Sequence, residues 1–235
     1  ITDSTCIHYP KNMGKLTGLR ELWHVDNDYA LPLPDFIGCM RRLDRVTWEV
    51  NEYVSEDILK CKFVREIRLH NVEMTEIPDL SKLKFLEVLQ ISDAKWEGGV
   101  VPDWVGDCGE LQELVIEHGN ARILPKNILQ LNLDYLSVAD NEIEELPGWF
   151  GYVKAGHINI ADNDIEILPD SFVKLDECVN YVTIYGNPIR VLPIGIERLR
   201  RRVCFWINDP AGEAPTNLSL QDVEMVQGFG NTYSY

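Results

Sequence analysis

From residue 133 onward the apolar positions recur on one template. Leu133, Leu136, Val138, Ile143, Leu146 and Phe150 are followed by Ala155, Ile158, Ile160, Ile165, Leu168 and Phe172, and then by Val179, Val182, Ile184, Ile189, Leu192 and Ile196. One polar residue keeps step with them, an Asn at positions 141, 163 and 187. Traced back, the template starts at Leu19, Leu43, Val64, Leu86, Leu111, Leu133, Ala155 and Val179. A self-similar period of about 20–29 residues fixes an architecture ahead of any single-residue propensity, and the architecture it fixes is a solenoid.

With each start as position 1, positions 4 and 6 lie two apart, so on a short strand both face one way while positions 3, 5 and 7 face the other. The inward set builds the core; the outward set meets solvent or a partner. The Asn at position 9 (Asn27, Asn51, Asn141, Asn163, Asn187) sits where the chain turns off the strand, and its amide can satisfy backbone groups that the bend leaves without ladder partners. Val72, Ala94 and Gly119 replace it in three units, and His24 and Trp48 take the inward position 6 in the first two. The return of each unit carries an apolar-Pro pair (Leu33-Pro34, Ile77-Pro78, Val101-Pro102, Leu124-Pro125, Leu146-Pro147, Leu168-Pro169, Leu192-Pro193), except in the Leu43 unit.

A single unit cannot bury its own hydrophobic face, so stability must come from stacking on neighbours. This predicts eight repeats over 19–199, a partial repeat over 1–18 cut at its N-terminal side, a C-terminal cap over 200–207 containing a last strand from Val203, and an irregular tail over 208–235 rich in Pro, Gly, Asn and Ser. Tyr9, Pro10, Met13 and Leu16 fit the second half of a unit that would start before Ile1. The N-terminal face of the stack is therefore expected to be covered by upstream sequence or by a neighbouring subunit.

These residues resemble the leucine-rich repeat superfamily over roughly residues 6–200. In the last three units the form L-x-x-L-x-L-x-x-N-x-I-x-x-L-P-x-x-F/I is similar to Ras-suppressor-type and plant intracellular repeats, while Lys11 to Leu22 resembles the repeats of plant disease-resistance receptors. The resemblance implies an α/β leucine-rich repeat solenoid: a curved right-handed superhelix with a parallel β-sheet on the concave face and loops, short helical or 3-10 turns on the convex face. It also implies a non-enzymatic scaffold or the sensing part of a signalling receptor.

With 38 acidic against 22 basic side chains, the net charge of −16 repels phosphate polymers, so no nucleic-acid partner is expected. No apolar run is long enough to span a membrane. Cys61 and Cys108 stand where Leu16, Met40 and Leu83 stand in other units, which marks them as core filling; Cys39 and Cys61 come from neighbouring units and could meet. Asn217 begins a glycosylation triplet in the tail. The compartment stays open, with a lean to the intracellular side.

The five histidines fall in different units and columns, and no nucleophile elbow, P-loop or C-x-x-C motif exists, so neither metal, cofactor nor catalysis is expected. What remains is the outward strand face. Towards the C-terminal units its columns become aromatic and small: Tyr135, His157, Tyr181 and Tyr185 surround Ser137, Ala139, Asn159 and Ala161, with Asp140 and Asp162 alongside. Tyr favours interfaces because a rigid ring buries area at low entropic cost and keeps a polar tip. The N-terminal units offer Trp23, Arg45, Arg68 and His70, with Glu21, Glu49 and Glu66 between them, and these charges either await a partner or pair with one another across strands. The expectation is a module that binds a protein or peptide on this face as part of a larger scaffold or receptor. Its alternatives are an extracellular ligand-sensing ectodomain and an architectural subunit of a large complex.

Overall fold

The computed structural model describes residues 9–10, 12–24, 31–72, 77–177, 179–199 and 203–204. The N-terminal segment before Tyr9, most of the expected cap and the whole tail, with Asn217, lie outside the described residues. Among the described residues ten parallel strands succeed one another: β1 (Glu21–His24), β2 (Leu31–Leu33), β3 (Arg45–Val54), β4 (Glu66–His70), β5 (Val88–Ser92), β6 (Glu113–Glu117), β7 (Leu133–Ser137), β8 (Ala155–Asn159), β9 (Tyr181–Thr183) and β10 (Val203–Cys204). They pair in the order β1-β3-β4-β5-β6-β7-β8-β9-β10, and β2 pairs beside β1 on the long strand β3. The result is a curved solenoid with its sheet on one face and short turns on the other.

Register follows the template. Position 4 runs through the sheet as Leu22, Val46, Ile67, Leu89, Leu114, Leu136, Ile158 and Val182, each paired with the next. All of these are buried, and one apolar core runs without a break from Met13 to Leu199. Every helical segment among the described residues is a 3-10 turn, as at Asp35–Cys39, Asp103–Asp107 and Lys126–Gln130. Pro34, Pro102 and Pro125 stand just before these three turns in extended conformation, where a fixed φ and a missing N–H cost nothing. In the unit without proline Ser55 takes that place. Its hydroxyl accepts the Asp57 N–H at 3.2 Å and donates to Asp35 Oδ1 at 2.6 Å, joining its turn to the one before.

The inward His24 and Trp48 fill one position in neighbouring units. Their rings stack at 4.5 Å, 18° from parallel, with Tyr9 packed 5.7 Å from Trp48. His24 is 8% exposed, a core histidine whose pKa burial pushes down.

Three of the position-9 asparagines form a ladder that binds each unit to the one before it. Asn141, Asn163 and Asn187 accept the backbone N–H groups of Ala121, Ile143 and Ile165 at 3.0, 3.1 and 3.2 Å. Their amides donate to the carbonyls of Ile116, Val138 and Ile160 at 2.8, 3.0 and 2.9 Å, and to carbonyls of their own units. Where Gly119 occupies position 9, Asn120 takes over: it accepts the Trp96 N–H at 2.7 Å and donates to the Trp96 carbonyl at 3.1 Å. The expectation of a turn at Asn51 is corrected. β3 continues through that residue to Val54, where beyond β1 it has a second partner in β2; Leu31 lies opposite Val50 and Leu33 opposite Val54, with a register irregularity between the two pairs.

Cys39, Cys61 and Cys108 carry free thiols, so Cys39 and Cys61 do not pair. The Cys61 thiol donates to the Ile37 carbonyl at 3.2 Å, and burial pushes the pKa of Cys61 up to about 11 and that of Cys108 up to about 12. Both are inert core filling.

Candidate partner-binding surface on the strand face

Parallel register lines up the residues at position 3 across the sheet: Glu21, Arg45, Glu66, Val88, Glu113, Tyr135, His157 and Tyr181. The two ends of this row behave differently.

At the N-terminal end charges satisfy one another. Arg45 lies 3.3 Å from Glu21 and 3.5 Å from Glu66, while Arg68 lies 2.7 Å from Glu66 and 3.5 Å from Glu113 and donates to Gln90 at 2.7 Å. Arg45 and Arg68 thus pair with neighbouring strands, as the sequence allowed. Trp23 remains 56% exposed beside them, and His70 is half-buried. The intramolecular pairs leave Trp23 as the apolar contact of this end.

At the C-terminal end the row is aromatic. His157 is held between two tyrosines: its ring centroid lies 5.1 Å from Tyr135 and 4.8 Å from Tyr181, at interplanar angles of 82° and 86°. Such edge-to-face contacts place positive ring edges against negative faces. Burial lowers the pKa of His157, so the ring is neutral at physiological pH. Its Nε2 stands 3.5 Å from the Thr183 hydroxyl. Asn159, at position 5 between these rows, turns its side chain to its own backbone and accepts the Ala161 N–H at 3.2 Å.

Tyr185, at position 7, is 41% exposed. Its pKa is raised, first by burial and then by Asp162, Asp140 and Glu117, so it presents a neutral phenol to solvent. Ser137, Ala139 and Ala161, outward by periodicity, are buried: the adjoining strands and their taller side chains cover them, so these residues form a floor and not a contact surface. Ser137 donates to the Glu117 carboxylate.

Asp140 and Asp162 have a backbone role that the sequence reading missed. Position 8 is left-handed in six consecutive units: Asn71, Asp93, His118, Asp140, Asp162 and Gly186 have φ of 57°, 61°, 57°, 52°, 51° and 71°. Asn, Asp and Gly are the types that tolerate this region, and their recurrence at one offset was the signal available in the sequence. The side chains still border the aromatic row: Asp140 Oδ2 lies 3.6 Å from His118 Nδ1, and burial followed by Asp140 raises the pKa of Asp162.

Among the described residues no group of three or more His, Cys, Asp or Glu is placed to hold a metal ion, and no helix is long and apolar enough to cross a membrane. The surface offers rings, hydroxyls and carboxylates for non-covalent contact, without a paired nucleophile and base.

No family model matches the sequence, and no curated protein matches it. Solved structures do resemble it in shape. A leucine-rich repeat protein of Leptospira interrogans superposes with a TM-score of 0.62 at 18% identity, covering 83% of this chain and 56% of that one. An internalin of Listeria monocytogenes gives 0.63 at 15% identity, covering 80% and 53%. A plant peptide hormone receptor, solved in complex with RGF2, gives 0.57 at 19% identity, covering 83% and 36%. The chain spans little more than half the length of the first two and about a third of the receptor. At these identities the likeness concerns architecture, and the architecture of this chain is that of the leucine-rich repeat fold.

Proposed function

We propose that this chain is a non-enzymatic recognition module that binds a protein or peptide on its concave strand face, centred on Tyr135, His157, Tyr181 and Tyr185, within a larger scaffold or receptor. The observation that carries the reading is the aromatic row itself. Tyr135, His157 and Tyr181 stand on consecutive strands in edge-to-face contact, so their rings are preorganised and lose little freedom when a partner covers them. The core needs none of these outward rings, and the ion pairs that close the N-terminal end leave the aromatic end as the adhesive part of the face. A neutral Tyr185 phenol and the Asp140 and Asp162 carboxylates supply polar contacts at its border. The plant peptide hormone receptor with this fold supports a peptide as one form of partner.

The test compares affinity capture by the intact chain with capture by a Tyr135→Ala/Tyr181→Ala/Tyr185→Ala variant and by a convex-face control carrying Tyr152→Ala. The expected result is a set of proteins, identified by mass spectrometry, lost only with the concave variant, whose melting temperature stays within a few degrees of the parent. Capture that is indifferent to the three tyrosines overturns the assignment.

A further inference from the structure

Two phenylalanines lie where the repeat does not require them. Phe63 and Phe85 occupy the residue before position 1 in consecutive units, an offset that holds Gly18, Arg42, Glu110, Asn132, Lys154 and Cys178 in the other six. They are 63% and 49% exposed, and their rings stack 6.3 Å apart, 18° from parallel. Core formation does not explain them. With Arg20, Arg42, Leu43, Asp44 and Arg65 they line an open cleft of about 640 Å³ on the flank of the solenoid, at the entry to the strands and off the concave face.

The charge of this cleft runs against that of the chain. Within a molecule of net charge −16, three arginines line it against one aspartate. Arg65 is held between Asp44 at 3.8 Å and Glu87. Arg20 and Arg42 are exposed and make no ion pair among the described residues. Further along, the same offsets are acidic on balance, with Glu87, Glu110 and Asp134 against one basic residue, Lys154.

We infer that this flank cleft is a second docking surface, fitted to a short acidic segment of a partner protein in which carboxylates flank one apolar side chain. The stacked phenylalanines take the apolar group, and the guanidinium groups of Arg20 and Arg42 take carboxylates in bidentate geometry. The segment must be short, because a long polyanion that reached past the cleft would meet the surrounding acids and the field of the whole chain. The cleft and the tyrosine row occupy different columns of the repeat, so both can be filled together.

The experiment is selection of a displayed random-peptide library on the whole chain, followed by titration of an enriched peptide by fluorescence anisotropy. The expected peptides carry at least two Asp or Glu within three residues of a Phe, Leu, Ile or Trp. They bind at least tenfold more weakly to Arg20→Gln/Arg42→Gln and to Phe63→Ser/Phe85→Ser, variants whose unfolding midpoints match the parent. They bind unchanged to the tyrosine-substituted chain, which separates this inference from the concave assignment. No enrichment, enriched peptides without carboxylates, or equal binding to the cleft variants overturns it. So does equal and Arg-dependent binding of a single-stranded DNA 12-mer or of phosphatidylserine vesicles, which would make the cleft a phosphate site.

Discussion

The side-chain oxygen of Asn163 accepts the backbone N–H of Ile143, a full coil earlier, at 3.1 Å, while its amide donates to the Val138, Ile160 and Ala161 carbonyls. One buried side chain thus satisfies polar backbone in two units. Asn163→Ala leaves the Ile143 N–H dry and unpaired, and each such group costs about 1–3 kcal/mol. Urea unfolding of this variant is expected to show a loss of at least about 2 kcal/mol. Asn163→Asp is expected to be worse at neutral pH, since a carboxylate would face three carbonyl oxygens. Stabilities equal to the parent would show that the ladder is ornamental.

Gly186 has φ +71° with the Asp162 carboxylate against the place a Cβ would fill. Alanine there meets the left-handed penalty of roughly 1–2 kcal/mol and also displaces the carboxylate. In a double-mutant cycle, Gly186→Ala is expected to cost less in an Asp162→Gly background, with a coupling of about 0.5–3 kcal/mol. Strict additivity would mean that Asp162 swings aside freely.

Burial of His24 against Trp48 lowers its pKa, opposed by a backbone hydrogen bond and by Glu49. The unfolded chain, with an ordinary pKa near 6.5, therefore takes up the proton first. Its contribution is fully present above 6.5 and is lost as the pH falls towards the lowered native value. His157 shifts in the same direction. Unfolding midpoints measured from pH 7.5 down to 5.5 should fall less steeply for His24→Phe than for the parent; parallel profiles would contradict a neutral, buried imidazole.

The apolar columns were legible because each repeats at one offset, so the strands, their register and the buried His24 and Trp48 followed from counting. Three things were not. The burial of Ser137, Ala139 and Ala161 depends on neighbouring strands and taller side chains closing over small residues on a nominally open face, which period-2 alternation cannot express. The substitution of Asn120 for the missing position-9 amide is a one-residue shift that a fixed template passes over. The continuation of β3 through Asn51 goes with its second neighbour, β2, whose pairing is a tertiary fact. For Arg45 and Arg68 the sequence held both outcomes open, and only distances distinguish an ion pair from a binding group.

The amide ladder is also unevenly distributed. Asn120, Asn141, Asn163 and Asn187 clamp every junction from the Leu86 unit to the Val179 unit, but at the two junctions before these Val72 and Ala94 stand in its place. The clamps thus fasten the units that carry the tyrosine row and are missing at both junctions next to Phe63 and Phe85.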